Sequence, residues 1–472
     1  KGKSLSLFSG TQCPPIQQKM NDVVSKICKL SSNSNDLIEL NKLLKDNEKT
    51  LQKFNVGNLD EGMARLDVSQ HTLGFLTLLF FKGECFGEVL DHMQVEQLDF
   101  FSQQIKLLFL HGDGYQMRLA PAKVGALSRK FAQAMVIRNS CPEGIYPLKR
   151  GVEKLVGTNK NLLTPVHSGF ALCCLKSKNY RAALPILNCP IFNIDPKDNG
   201  LVPLDFLTYH YYGGLLYAGL QQFEESLEMF QIAMTCPGEV LSHVQVEAFK
   251  RYVLLCLLVH EEFISLPSTV SRSTSSNVEK LCAPYMELAK AYKKGSEQFV
   301  KVIEKHTDAF LQDRCFGLVK QVQSGITRRK IQKLTHTYIT LSLSDIAQSA
   351  GLSTPEAAEE HVLDMIAKGD IFAKINQKDG MLSFLEDPED YNNTQMVQKL
   401  NQKIQDVVVL TKKLSEVNTD ILLHPNALKS EVMEIKAQQA SAGESSKPPS
   451  AGGNISIEEQ QVQMALQASM HS

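Results

Sequence analysis

From Asn21 to Cys256 the apolar residues of this chain recur three and four positions apart, and strand-like alternation is scarce. Ile105, Leu108 and Phe109 share one helical face, and Met117, Val124, Leu127, Phe131 and Val136 continue the pattern in the helices that follow. Breakers punctuate it at Gly112-Asp113-Gly114, Cys141-Pro142, Gly157, Asn188 to Pro190, Pro196 and Pro237-Gly238. Helices stopped this often, with no strands between them, predict a mainly α chain of antiparallel pairs stacked into a right-handed solenoid. One hairpin resembles a tetratricopeptide repeat: Gly213-Gly214, Tyr217, Phe230, Ala233 and Pro237 supply a small residue, aromatics, a second small residue and a stop. Glycine there would let two backbones approach while Phe230 fills the groove. Ser265 to Asn277, rich in Ser and Thr around Pro267, is expected to be an exposed loop within the array.

After Tyr338 the pattern changes. Ile339 to Leu343 is a short β-branched and leucine run, and Asp345 to Ala350 is a short helix closed by Gly351. Thr354-Pro355-Glu356 carries the N-cap, first-turn proline and acid of a new helix that stops at Gly369. Two strands follow, Ile371 to Gln377 and Met381 to Leu385, reversed at Lys378-Asp379-Gly380. Helix, strand, helix, helix and hairpin is the order of a winged helix. Beyond it, Thr394 to Leu423 reads as one long helix. Its apolar seam is Val397, Leu400, Ile404, Val407, Leu410, Leu414, Val417 and Ile421. Such a stripe needs a partner, and a helical bundle with other chains is preferred over packing onto its own domain. Ala, Ser, Gly and Pro dominate from Ala437 to Gly453, which predicts disorder.

Composition narrows the function. With 472 residues, 43% of them hydrophobic, the chain can bury a large core. A net charge of -1 offers no global field for nucleic acid or membrane. No apolar run approaches the roughly 20 residues of a membrane span. Eleven cysteines in no ligand-like spacing read as reduced core thiols, which points to cytoplasm and nucleus.

A winged helix can read DNA, but the Thr354 helix carries Glu356, Glu359, Glu360 and Asp364 against Lys368 and would be repelled by phosphate. The basic run Arg328-Arg329-Lys330 is read as a solvated helix face. Protein contact remains. The open hairpin edge is expected to present Ile371, Phe372, Ala373 and Ile375 to an adjacent chain, although Ile371 and Ile375 could equally fill the domain's own core. Catalytic, metal and cofactor residues are not found. His260-Glu261-Glu262 begins like a zinc-protease helix, but Ile264 stands where the second histidine would be needed. Cys173-Cys174 reads as a buried pair of thiols rather than a nucleophile. Near the end, Glu458-Glu459 with Val462, Ala465, Leu466 and Ser469 resembles a ubiquitin-interacting helix, and the alternative is an amphipathic tail without a partner.

A helical array running directly into a winged helix resembles the PCI family, named for the proteasome lid, the COP9 signalosome and the third eukaryotic initiation factor. Several blocks are similar to its signalosome members: His71-Thr72-Leu73-Gly74, Tyr211-Tyr212-Gly213-Gly214, Gly317 to Gln321, Leu341 to Ala347, and Ile375 to Met381. The last block is the most specific, since Asn376 stands where other PCI proteins usually carry Asp. The resemblance implies a layout of helical repeats 21–205, a PCI domain 206–385 (repeats 206–338, winged helix 316–385) and a bundle helix 394–424, flanked by a segment 1–20 and a tail 437–472 that the sequence pattern alone marks as poorly ordered and disordered. It also implies a non-catalytic scaffold in an assembly that removes the ubiquitin-like modifier Nedd8 from cullin subunits of ubiquitin ligases. The wing would meet subunits one and eight, and the C-terminal helix would join all the subunits in one bundle. The proteasome lid and the initiation factor are the alternative homes. The first sixty residues, the Ser265 to Asn277 stretch and the tail lie outside the resemblance.

Overall fold

The structure is a computed structural model and describes residues 15–31, 36–87, 94–159, 161–238, 240–352, 354–385 and 393–425, with 429 and 433. The expected ubiquitin-binding positions and the rest of the 437–472 tail lie outside the described residues, as does most of the 1–20 segment. The described residues fall into two compact units divided at Asp387/Pro388.

The first unit is a helical array followed by a winged helix. Helices including Thr72–Cys85, Val95–His111, Pro121–Ile137, Cys141–Val156, Val166–Lys176, Pro203–Gly219, Phe223–Met234 and His243–Val259 follow one another, mostly through short turns. Their buried faces build one core running from Met20 to Tyr217 and a second from Leu227 to Val322. The boundary expected at 205/206 falls inside the Pro203–Gly219 helix. That helix gives Tyr209, Leu216 and Tyr217 to the first core, while Tyr211 and Leu215 pack on the second. Burial therefore passes from repeat to repeat without a break, as stacking requires.

Small residues set the helix spacing. A Cβ on Gly74 would stand 2.4 Å from Cγ2 of Ile27, and one on Gly214 would stand 2.8 Å from the Phe230 ring. Ser226 donates its hydroxyl proton to the Gly214 carbonyl at 2.7 Å, so the close crossing also satisfies the polar groups it buries. Gly214 and Phe230, two of the tetratricopeptide-like residues, thus sit where the helices cross closely.

Helix C-termini are closed by cations reaching in from other helices. The last carbonyls of a helix have no partner within it and carry partial negative charge. Lys130 donates to the Gly83 carbonyl at 2.6 Å, and Lys154 donates to those of Leu110 and Gly112 at 2.8 and 2.7 Å. Arg329 does the same for the His243–Val259 helix, donating to the carbonyls of Leu257 and Leu258 and to the Tyr292 hydroxyl. Arg328 pairs with Asp370, and Lys330 donates to the Ala350 carbonyl at 3.3 Å. The basic run is therefore tied into the fold, not a solvated face. Its helix, Phe316–Thr335, buries Val319 and Val322 in the second core and Ile331 in a third.

Ser265 to Asn277 is not wholly a loop. A helix spans Arg272–Leu281, capped by the Ser271 hydroxyl, which accepts from the Thr274 amide at 3.2 Å. Val270 and Val278 are buried at its ends. Serine here serves as a cap and as exposed helix surface, while two valines anchor the segment.

The third core belongs to the winged helix, with Ile331, Leu343, Ile346, Ala358, Val362, Met365, Ile371 and Leu382 among its members. Strand β1 (Thr340–Ser342) leads into helix Leu343–Ala350, and helix Pro355–Lys368 leads to β2 (Ala373–Asn376) and β3 (Met381–Phe384). The sheet order is β1-β3-β2, antiparallel throughout. Ser342 and Thr354 cap their helices, and Gly351 and Gly369 close them in the left-handed region with φ 79° and 77°.

The second unit contains the helix Thr394–Leu423, 30 residues and about 45 Å long.

Candidate assembly surfaces

Among the described residues, β2 has β3 on one side only and is a sheet edge. Its register pairs Ala373 with Phe384 and Ile375 with Leu382, and the Leu385 amide donates to the Phe372 carbonyl at 2.7 Å. In an antiparallel ladder, main-chain groups alternate in direction. If Phe372 bonds toward β3, Ala373 and Ile375 aim their N–H and C=O groups at the open side.

The side chains follow the core-filling alternative left open for Ile371 and Ile375. Ile371 is 4% exposed and belongs to the core, while Ala373 and Ile375 pack partly buried against that same core. Alternation explains it: residues 371, 373 and 375 share the face that the two helices cover, which leaves Phe372, Lys374 and Asn376 on the outer face. Ile371 thus fills the domain's own core, while Ala373 and Ile375 are half-buried against it. Phe372 is half-buried, and the exposed Leu385 beside it was missed, although the same period-2 count would have found it.

Asn376 holds the hairpin. Its amide donates to the Asp379 carboxylate at 2.6 Å, and its carbonyl oxygen accepts from the Lys378 amide at 3.3 Å. An Asp at this position would lose the donor and face a like charge, which gives the asparagine a local reason.

On the Pro355–Lys368 helix, Glu356, Glu360 and Asp364 are exposed on one side, with Lys368 bonded to Asp364 at the far end. The charge argument against phosphate therefore meets an outward acidic face. Along the Thr394–Leu423 helix, all the seam residues named from the sequence are exposed, Leu414 by 67% and Val417, the least, by 40%.

Among the described residues, no group of three His, Cys, Asp or Glu side chains could hold a metal ion. His260 is the cap that ends its helix, and Glu261 (φ 62°) is held by Lys333 at 3.1 Å, so the His260-Glu261-Glu262 triplet lies off the helix. Cys173 and Cys174 are wholly buried, and burial pushes the Cys174 thiol up to about 12. No described helix is long and apolar enough to cross a membrane.

A repeat array that passes without a break into a winged helix with a free sheet edge defines a PCI-domain protein. Comparison with known proteins agrees: residues 303–386 match the PCI domain, and residues 34–274 match the model described as COP9 signalosome complex subunit 3, N-terminal helical repeats. The chain is 33% identical over 386 residues to the COP9 signalosome complex subunit 3 of Dictyostelium discoideum, covering 81% of this chain and 90% of that protein. It is 33% identical over 409 residues to the Arabidopsis thaliana protein of the same name, covering 85% and 91%. The chain belongs to the COP9 signalosome complex subunit 3 family.

Proposed function

We propose that this chain is a non-catalytic scaffold of the COP9 signalosome, acting in cytoplasm and nucleus. In that assembly it supports removal of Nedd8 from the cullin subunits of ubiquitin ligases and performs no bond cleavage itself. Its partners are the other signalosome subunits. Subunits one and eight meet the winged helix, and the C-terminal helix enters a bundle shared with all of them.

One observation carries the reading. A helix of 30 residues keeps its apolar seam exposed, and among the described residues the winged helix keeps a strand edge unpaired. Exposed apolar area on that scale marks a contact surface, and an unpaired edge is a template for an added strand. At the wing, the main chain of Ala373 and Ile375 supplies the contact, with Phe372 and Leu385 on the outer face.

Two changes to the full chain, co-expressed with the other subunits, test it. Deleting Thr394 to Leu423 is expected to release the subunit from the complex. Ala373→Pro removes an outward amide without breaking the bonds to β3, because proline is tolerated at sheet edges. It is expected to weaken incorporation while the free chain keeps its melting temperature. Full incorporation of both variants would refute the scaffold reading.

A further inference from the structure

The helix Phe316–Thr335 bridges the array and the winged helix, and its middle is thinly packed. Val319 and Val322 anchor its first half in the second core, and Ile331 anchors its end in the third. From Gln323 to Lys330 none of its residues is buried. Ser324 and Gly325 open that stretch, and a serine–glycine pair is one of the few sequence features that let a helix kink. Glycine also costs a helix interior stability relative to alanine. No close crossing demands it here: a Cβ on Gly325 would stand 3.6 Å from Cδ1 of Leu258, an ordinary contact. Gly325 differs in this from Gly74 and Gly214.

One side of the bridge is open. A cleft of about 500 Å³ lies between Glu297, Val300 and Glu304 on one wall and Ile326 and Thr327 on the other, with Gly351 of the winged helix also lining it. The helix that forms the first wall, Ser296–Gln312, departs from helical geometry at His306 (φ −115°, ψ 18°), just past the lining residues. Both walls therefore have a soft point.

The other side of the bridge is latched. Two residues before Thr327, Gly325 lies about 160° round the helix from it, on the side of Leu258. One turn further on, Arg329 donates to the carbonyls of Leu257 and Leu258 and to the Tyr292 hydroxyl, and Lys333 pairs with Glu261 at 3.1 Å. All four partners belong to the array. A bend that closed the cleft would place Gly325 on the outside of the curve and draw Arg329 away from its carbonyls. In exchange, the half-buried Val300 and Ile326 would be withdrawn from water. Two arrangements that trade polar bonds for apolar burial are the makings of a hinge.

We propose that the winged helix is hinged on the array at Ser324-Gly325, and that Arg329 is the latch that holds the cleft open. Closing the hinge swings the β2 edge relative to the repeats, so one chain fits neighbours set at more than one angle. That consequence rests on the reading of β2 as a contact, whereas the hinge itself does not.

The test places nitroxide-bearing amino acids at Lys301 and Ser349, exposed residues on the two sides of the cleft, in the free full chain. Double electron–electron resonance is expected to show two distances, the longer one dominant. Gly325→Ala, whose methyl has room, is expected to leave the longer distance alone. Arg329→Gln is expected to raise the shorter population about twofold or more, and Arg329→Lys to raise it less. A single distance shared by the native chain and Arg329→Gln would overturn the hinge. Two distances kept in native proportion by Gly325→Ala would overturn the pivot, and a short population that Arg329→Gln does not raise would overturn the latch. No other subunit is present, so none of these failures touches the reading of β2 as a contact, which incorporation of the Ala373→Pro variant tests separately.

Discussion

Phe230 occupies the space that a side chain on Gly214 would need: a Cβ there would lie 2.8 Å from both Cε1 and Cζ of the ring. The neighbouring Gly213 is different. Its nearest obstacle, at 2.5 Å, is the terminal methyl of Met229, which can swing aside. Gly214→Ala is therefore expected to destabilise the fold by about 1–3 kcal/mol through overpacking, whereas Gly213→Ala is expected to be near neutral, since alanine regains helix propensity. Urea denaturation of the two variants checks this, and equal losses would contradict the crossing.

Arg329 joins the winged helix to the array by closing the His243–Val259 helix. Arg329→Gln leaves buried carbonyls without a partner, at a cost of about 1–3 kcal/mol. Lysine is expected to rescue only part, because one ammonium cannot reach two carbonyls and a phenol with the geometry of the planar fork. Hydrogen exchange at residues 324–335 should quicken in both variants, more in the glutamine one. Unchanged protection would show that the cap is dispensable.

His167 and His210 are buried around Tyr209, with rings 5.3 and 5.2 Å from it. Burial lowers both from the ordinary 6.5 to about 4. The unfolded chain therefore binds more protons between those values. The stabilisation is complete above pH 6.5, falls away as the pH drops, and is gone once it passes below 4. Between pH 7.5 and 5 each should remove roughly 2 kcal/mol. His167→Gln is expected to flatten the acid dependence of the melting temperature, and an unaltered slope would argue against a neutral buried ring.

Thiol reactivity should follow burial. Cys85 is exposed, whereas Cys141, Cys173, Cys174, Cys256, Cys282 and Cys315 are buried. Brief alkylation of the native protein at pH 8 is expected to mark Cys85 within minutes and to spare those six until denaturant is added. Mass spectrometry of the peptides reads the order directly. Fast labelling of Cys173 or Cys174 would reopen the case for a reactive thiol.

What the sequence determined by itself was local. Helix periods, the Ser342 and Thr354 caps, the left-handed glycines at 351 and 369, and the hairpin at Asp379-Gly380 each need only neighbours within a few residues, so they were legible as a winged helix behind an array. The seam of the C-terminal helix was legible for the same reason. The tertiary structure decided everything that depends on what lies across a gap. It turned Ile371 and Ile375 inward, because only the packed helices define which face of β2 is the core. It made Arg329 a cap, because the carbonyls it closes lie some 70 residues away in the chain. It gave the serine-rich stretch a helix, since two buried valines outweigh a loop-like composition. Side-chain direction and long-range pairing arise only when distant segments compete for the same space, and no window of the sequence contains that competition.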